Sequence, residues 1–155
     1  MRTLILFALV VISFSLAWAD TKDFAFATSL QSNYEQGAED VITISVQLTN
    51  DALELSEAVV FLNIVEVDDA GRYPQAAHRI FSAAEEIPTI FKQVVTKEQL
   101  LEGLSTTLSF SLKDDAPEGT YSLVLQVLKG TITDPNAVKV EDRIALRGYN
   151  FDIMP

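Results

Sequence analysis

Asp114–Lys129, DDAPEGTYSLVLQVLK, is the stretch from which the rest of the chain is best read. A polar turn holding Pro117 and Gly119 leads into Tyr121. Beyond it Tyr121, Leu123, Leu125 and Val127 alternate with Ser122, Val124, Gln126 and Leu128. Both sets are mostly apolar, so the spacing predicts a strand covered on both faces. Such a strand belongs in the middle of a sheet.

Working outward, Val41–Leu48 gives the cleanest alternation, with Ile42, Ile44, Val46 and Leu48 inward and Thr43, Ser45 and Gln47 outward. Phe24–Leu30 reads as a first strand and Asn33–Gly37 (NYEQG) as a turn. Ala58–Val67 is apolar on both faces, as an interior strand would be. Thr96-Lys-Glu-Gln99 has the pattern of a capping box, and Gly103 stands where a helix stops, so a short helical turn is predicted there. Thr106–Leu112 alternates with Leu108, Phe110 and Leu112 inward. Val138 and Val140 alternate, as do Ile144 and Leu146, and Gly148 marks a bulge or a bend before Tyr149, Phe151 and Ile153. Arg72–Pro88 supports two readings: a helix opened by Pro74 over Gln75–Glu86, or an extended strand followed by a loop.

Together these elements predict an all-β, two-sheet antiparallel sandwich of about seven strands. Asp115, Gly119 and Tyr121 ahead of a core strand resemble the tyrosine corner of immunoglobulin-like domains. Leu123 stands where antibody-type domains have a cysteine, so that subfamily is not implied. The phrase APEGTYSL (116–123), with Tyr34-x-x-Gly37 ahead of the Val41–Leu48 strand, is more similar to macroglobulin-type and bacterial immunoglobulin-like modules. The resemblance implies the architecture of such modules and nothing finer.

The first residues carry a different message. Arg2 precedes Leu4–Leu16, an almost unbroken apolar run, and Ala17-Trp18-Ala19 is a small-x-small cleavage pattern. The run is shorter than the roughly 20 residues a membrane span needs. Residues 1–19 are therefore expected to be a signal peptide that is cleaved, and residues 20–155 a single domain with no membrane anchor. No cysteine and no Asn-x-Ser/Thr acceptor occurs in the chain. The expectation is a secreted or periplasmic protein whose core is held by packing alone.

The balance of 22 acidic against 11 basic residues gives a net charge of −11, which argues against nucleic acid and anionic lipid as partners. Cysteine nucleophiles are absent. The single histidine, His78, has no Gly-x-Ser-x-Gly elbow to serve, and one histidine does not build a zinc site. The chain is read as non-enzymatic, with no catalytic residue, no metal and no cofactor. A hydrolase using surface carboxylates and His78 is the reading this sets aside. The acidic turns at Asp68-Asp69, Asp114-Asp115 and Asp134-x-Asn136 have the residue types calcium takes, without matching its twelve-residue loop.

What remains is recognition. Arg72, Tyr73, His78 and Arg79 gather an aromatic, two arginines and the histidine on one connecting segment, and Tyr and Arg are enriched where binding energy concentrates. The expected function is a protein-binding module of adhesion, assembly or envelope-complex type, with these four residues at the partner contact. The alternative is a small-ligand or carbohydrate-binding module, in which sugar stacking would fall to Tyr34, Tyr73, Tyr121 or Tyr149.

Overall fold

The computed structural model describes residues 22–68, 75–76, 80–82, 89–130 and 139–155. Nine strands and one helix are found there: β1 (Phe24–Thr28), β2 (Asn33–Glu35), β3 (Glu39–Leu48), β4 (Glu57–Glu66), β5 (Gln75–Ala76), β6 (Thr89–Thr96), α1 (Lys97–Glu102), β7 (Leu104–Ser111), β8 (Gly119–Lys129) and β9 (Arg143–Met154). They form a sandwich of two sheets. The smaller has the order β1-β3-β7, and the larger runs β2-β9-β8-β4, with β5 and β6 both pairing β4 on its far side.

The predicted central strand is central. β8 is hydrogen-bonded to β4 along one side and β9 along the other. Its Leu123, Leu125 and Val127 pack between the sheets with Val60, Leu62 and Ile64 of β4, facing Phe24 and Phe26 of β1 and Ile42, Ile44, Val46 and Leu48 of β3. The opposite face of β4 and β8 is buried too, with Val59, Phe61 and Leu128 in a second apolar cluster. Doubly apolar strands behave this way because burial of each face removes apolar area from water.

Tyr121 closes the corner ahead of β8. Its hydroxyl donates to the Pro117 carbonyl oxygen at 2.8 Å, and its ring stacks on Phe151 at 5.8 Å between centroids. Phe151 in turn meets Tyr34 edge-on at 5.6 Å. The three rings tie β8, β9 and β2 together at one end of the large sheet.

The helical turn also forms as expected. Thr96 accepts from the Gln99 N–H through its side chain, and the Gln99 side chain accepts from the Thr96 N–H. Gly103 ends α1 at φ 95°, a conformation that favours glycine. Leu100 is fully buried and anchors the turn between β6 and β7.

Four local expectations are corrected. Asn33–Glu35 is a strand, not part of a turn: it pairs in parallel with Asp152–Met154, so the sandwich is not wholly antiparallel. Tyr34 drives this, because its buried ring needs the Phe151 edge. Val140 lies in a 3-10 turn, Val140–Asp142, instead of a strand. Gly148 is no bulge; it pairs in register with Val124, and the register shift comes earlier, where Leu128 pairs Arg143 and Val127 pairs Ala145. Past that shift Leu146 faces outward, 43% exposed, while Ile144 packs against the core, so the two do not share a face as the alternation predicted. Of the ambiguous 75–86 segment, Gln75–Ala76 is extended and pairs with Val65–Glu66, while Ile80 and Phe81 are buried.

Candidate functional site

The expected contact residues Arg72, Tyr73, His78 and Arg79 lie outside the described residues, as do Asp69, Asp134 and Asn136. Asp114 has a structural place: its carboxylate lies against Gly37, whose N–H donates to the Lys113 carbonyl oxygen. Among the described residues no group of three or more His, Cys, Asp or Glu side chains stands where it would hold a metal ion. No helix among them is long and apolar enough to cross a membrane. Of the tyrosines considered for sugar stacking, Tyr34 and Tyr121 are buried in the core, which removes their faces from any ligand.

A different place in the fold draws attention, and it follows from the sequence of β9, RIALRGYNFDIM (143–154). Cross-strand partners share a face. Arg147 pairs with Leu125, Tyr149 with Leu123 and Phe151 with Tyr121, so all three β9 side chains are on the side that faces the small sheet. Arg147 and Tyr149 thus put a guanidinium and a phenol on an otherwise apolar face. They sit two residues apart, and the Arg147 guanidinium carbon lies 5.3 Å from the centre of the Tyr149 ring. That is cation–π geometry.

Each of the two side chains leaves a donor unused. Arg147 Nε and the Tyr149 hydroxyl are shielded from solvent, and neither meets a hydrogen-bond partner outside this pair among the described residues. Burial raises the pKa of the Tyr149 hydroxyl, and the charge of Arg147, with a hydrogen bond from its guanidinium, pulls against that rise without cancelling it. The hydroxyl therefore stays protonated and available as a donor. Arg143 and Arg147 form no ion pair among the described residues, although acids outnumber bases two to one in the chain.

The backbone beside them is open as well. β9 pairs with β8 along its length, but on its other side β2 covers only Asp152–Met154. The reason lies in the chain path. Residues leave β1 in the small sheet at Thr28 and reach the large sheet only at Asn33. Among the described residues, no strand pairs with Arg143–Asn150 on that side. The N–H and C=O groups of an edge strand are a template for another strand. β6, on the far edge of the large sheet, exposes Val94, and among its described side chains none is a buried unpartnered donor.

A second group of unpartnered polar atoms lies on the other face of the large sheet: Asn63 Oδ1, Ser122 Oγ and Gln126 Oε1. They surround Val124, which pairs with Asn63 on one side and Gly148 on the other.

Sequence reasoning names Tyr149 only as a candidate for sugar stacking and passes over Arg147, because it reads Gly148 as a break in the strand. The signal was present: Arg147, Tyr149, Phe151 and Ile153 follow one unbroken two-residue period.

Comparison with known proteins gives no family: no family model matches, and no curated protein does. Distant likenesses exist among solved structures. The PmoD soluble domain from Methylocystis sp. ATCC 49242 (Rockwell) is 8% identical, with a TM-score of 0.40 over 88% of this chain and 96% of that one. A β-glucosidase from Listeria innocua is 12% identical, with a TM-score of 0.42 over 84% of this chain but 16% of that one. A family 123 glycoside hydrolase from Clostridium perfringens is 13% identical, with a TM-score of 0.33 over 79% and 22%. Likeness at this level carries no argument about function.

Proposed function

We propose that this chain is an exported, non-enzymatic module of immunoglobulin-like type that binds another protein through the open edge of β9. The observation that carries the reading is that, among the described residues, no strand pairs with Arg143–Asn150 on the side away from β8, with the Arg147–Tyr149 pair beside it. Strand addition to a sheet edge is a common mode of peptide recognition, with the backbone giving affinity and alternate side chains giving selectivity. Immunoglobulin-like kinship is supported by the Tyr121–Pro117 hydrogen bond ahead of β8 and by the two-sheet order. Export is supported by Arg2, the Leu4–Leu16 run and Ala17-Trp18-Ala19, with a cysteine-free chain behind them.

The test is site-specific photocrosslinking in the native host. A photoreactive residue at Leu146, exposed on β9, is compared with one at Val41, 62% exposed on β3 of the other sheet. One dominant protein adduct from Leu146 and none from Val41 is the expected result. Equal adducts from both positions, or none from Leu146, would reject the β9 edge as the contact.

A further inference from the structure

We propose that the segment added to β9 carries a carboxylate at the position opposite Arg147. This rests on the binding reading above and deepens it, from an edge that takes a strand to a chemistry that selects one.

The argument begins with what the edge lacks. A residue paired directly with Arg147 on an added strand points to the same face as Arg147, whether the new strand runs parallel or antiparallel. It therefore approaches a guanidinium with no ion-pair partner among the described residues. The neighbouring Tyr149 hydroxyl is shielded, and no described group accepts its proton. A carboxylate takes donors of both kinds, since it has two oxygens and accepts from planar guanidinium and hydroxyl alike. A neutral amide oxygen also accepts from both donors, but only the carboxylate adds a charge-assisted, two-oxygen match to the guanidinium.

Charged residues on an edge can also serve only to discourage strand pairing. Such residues project into solvent, as exposed Arg143 does. Arg147 instead lies over an aromatic ring, with Nε shielded from water.

The occupant is not a second copy of this edge. Arg143–Asn150 contains no acidic residue, so two such strands paired together would leave both guanidinium groups unmatched. The one acid further along β9, Asp152, is already paired with β2 and accepts from the Thr120 hydroxyl at 2.7 Å. Nor is the occupant a strongly acidic strand, because a body of net charge −11 repels one before it docks. The segment that fits is extended, nearly uncharged, and has a single Asp or Glu among alternating small or β-branched residues.

The experiment is an NMR titration of the isotopically labelled full chain with three synthetic peptides. Each alternates threonine and valine, with a central glutamate, glutamine or lysine. The expected result is that the glutamate peptide shifts the amides of Arg143–Asn150 and binds at least tenfold tighter than the other two. Arg147→Met abolishes that preference, Arg147→Lys restores part of it, and Tyr149→Phe lowers it several-fold. Retained amide dispersion in each variant shows that the fold survives. Equal binding of the three peptides, or shifts confined to another edge, overturns the proposal. If Leu146 crosslinks a partner but glutamate gives no preference, the carboxylate assignment falls and the binding reading stands. If neither occurs, both fall.

Discussion

The Gly37 Cα faces the Asp114 carboxylate so closely that a methyl group on Gly37 would lie 2.6 Å from Asp114 Oδ1. Gly37 also has φ 75°, in the left-handed region. Two separate penalties therefore guard this position, one conformational and one steric. Gly37→Ala is expected to destabilise the fold by about 1–2 kcal/mol from backbone conformation alone, with the clash added. Denaturant unfolding of Gly37→Ala and of Gly37→Ala/Asp114→Ala separates the two: the double variant recovers only the steric part. Full recovery would mean that φ costs nothing here.

Tyr121→Phe keeps the ring stacked on Phe151 and removes only the hydroxyl that reaches Pro117. The expected loss is about 1 kcal/mol, the usual net worth of a hydrogen bond. A chemical-denaturation midpoint identical to that of the parent would show that the corner bond adds nothing.

Tyr34 makes stability depend on alkali. Its hydroxyl donates to Asp40 Oδ2 at 2.5 Å and accepts from the Gln31 N–H at 3.1 Å. Burial, and then the bond to the Asp40 carboxylate, raise its pKa well above the ordinary value of 10.0. Below pH 10.0 the phenol is protonated in both folded and unfolded chains, and this contribution is fully present. Above it the unfolded chain ionises first, so stability falls as pH rises. Thermal melts taken across that range should show a decline that is shallower in Tyr34→Phe. The same slope in both proteins would remove Tyr34 as the cause.

Gln126 and Ser122 give a prediction of opposite sign. Their side-chain oxygens are buried without hydrogen-bond partners, which costs about 1–3 kcal/mol per group. Gln126→Met and Ser122→Ala should therefore raise stability, each by about 1 kcal/mol. A loss of stability on calorimetry would mean that these oxygens are paired in solution.

Local rules carried most of the fold. The two-residue period placed Ile42, Ile44, Val46 and Leu48 in the core, and the Thr96 capping box and Gly103 set the limits of α1. Tyr121 gave the corner. These signals are local: each depends on residues within a few positions of one another. β2 was not legible, because Asn33–Glu35 becomes a strand only through Asp152–Met154 at the other end of the chain. The β9 edge was missed for the same reason. That Arg147 has no ion-pair partner, and β9 no second neighbour along Arg143–Asn150, among the described residues depends on where the other strands lie, and one segment's pattern does not contain that information. The expected contact at Arg72, Tyr73, His78 and Arg79 falls outside the described residues.

The parallel pairing of Asn33 with Asp152 also bears on how the molecule is made. A ribosome delivers β2 long before β9, so β2 waits through the synthesis of β3 to β8 for its neighbour. Contacts of such long sequence separation form slowly, and strand edges left unpaired meanwhile invite aggregation. A stop codon ahead of Arg143 would remove β9, strand β2 and turn β8 from a central strand into an edge. Loss of those few residues should therefore act on the whole molecule at once, and shortened products are expected to be cleared or to aggregate instead of persisting as partly working forms.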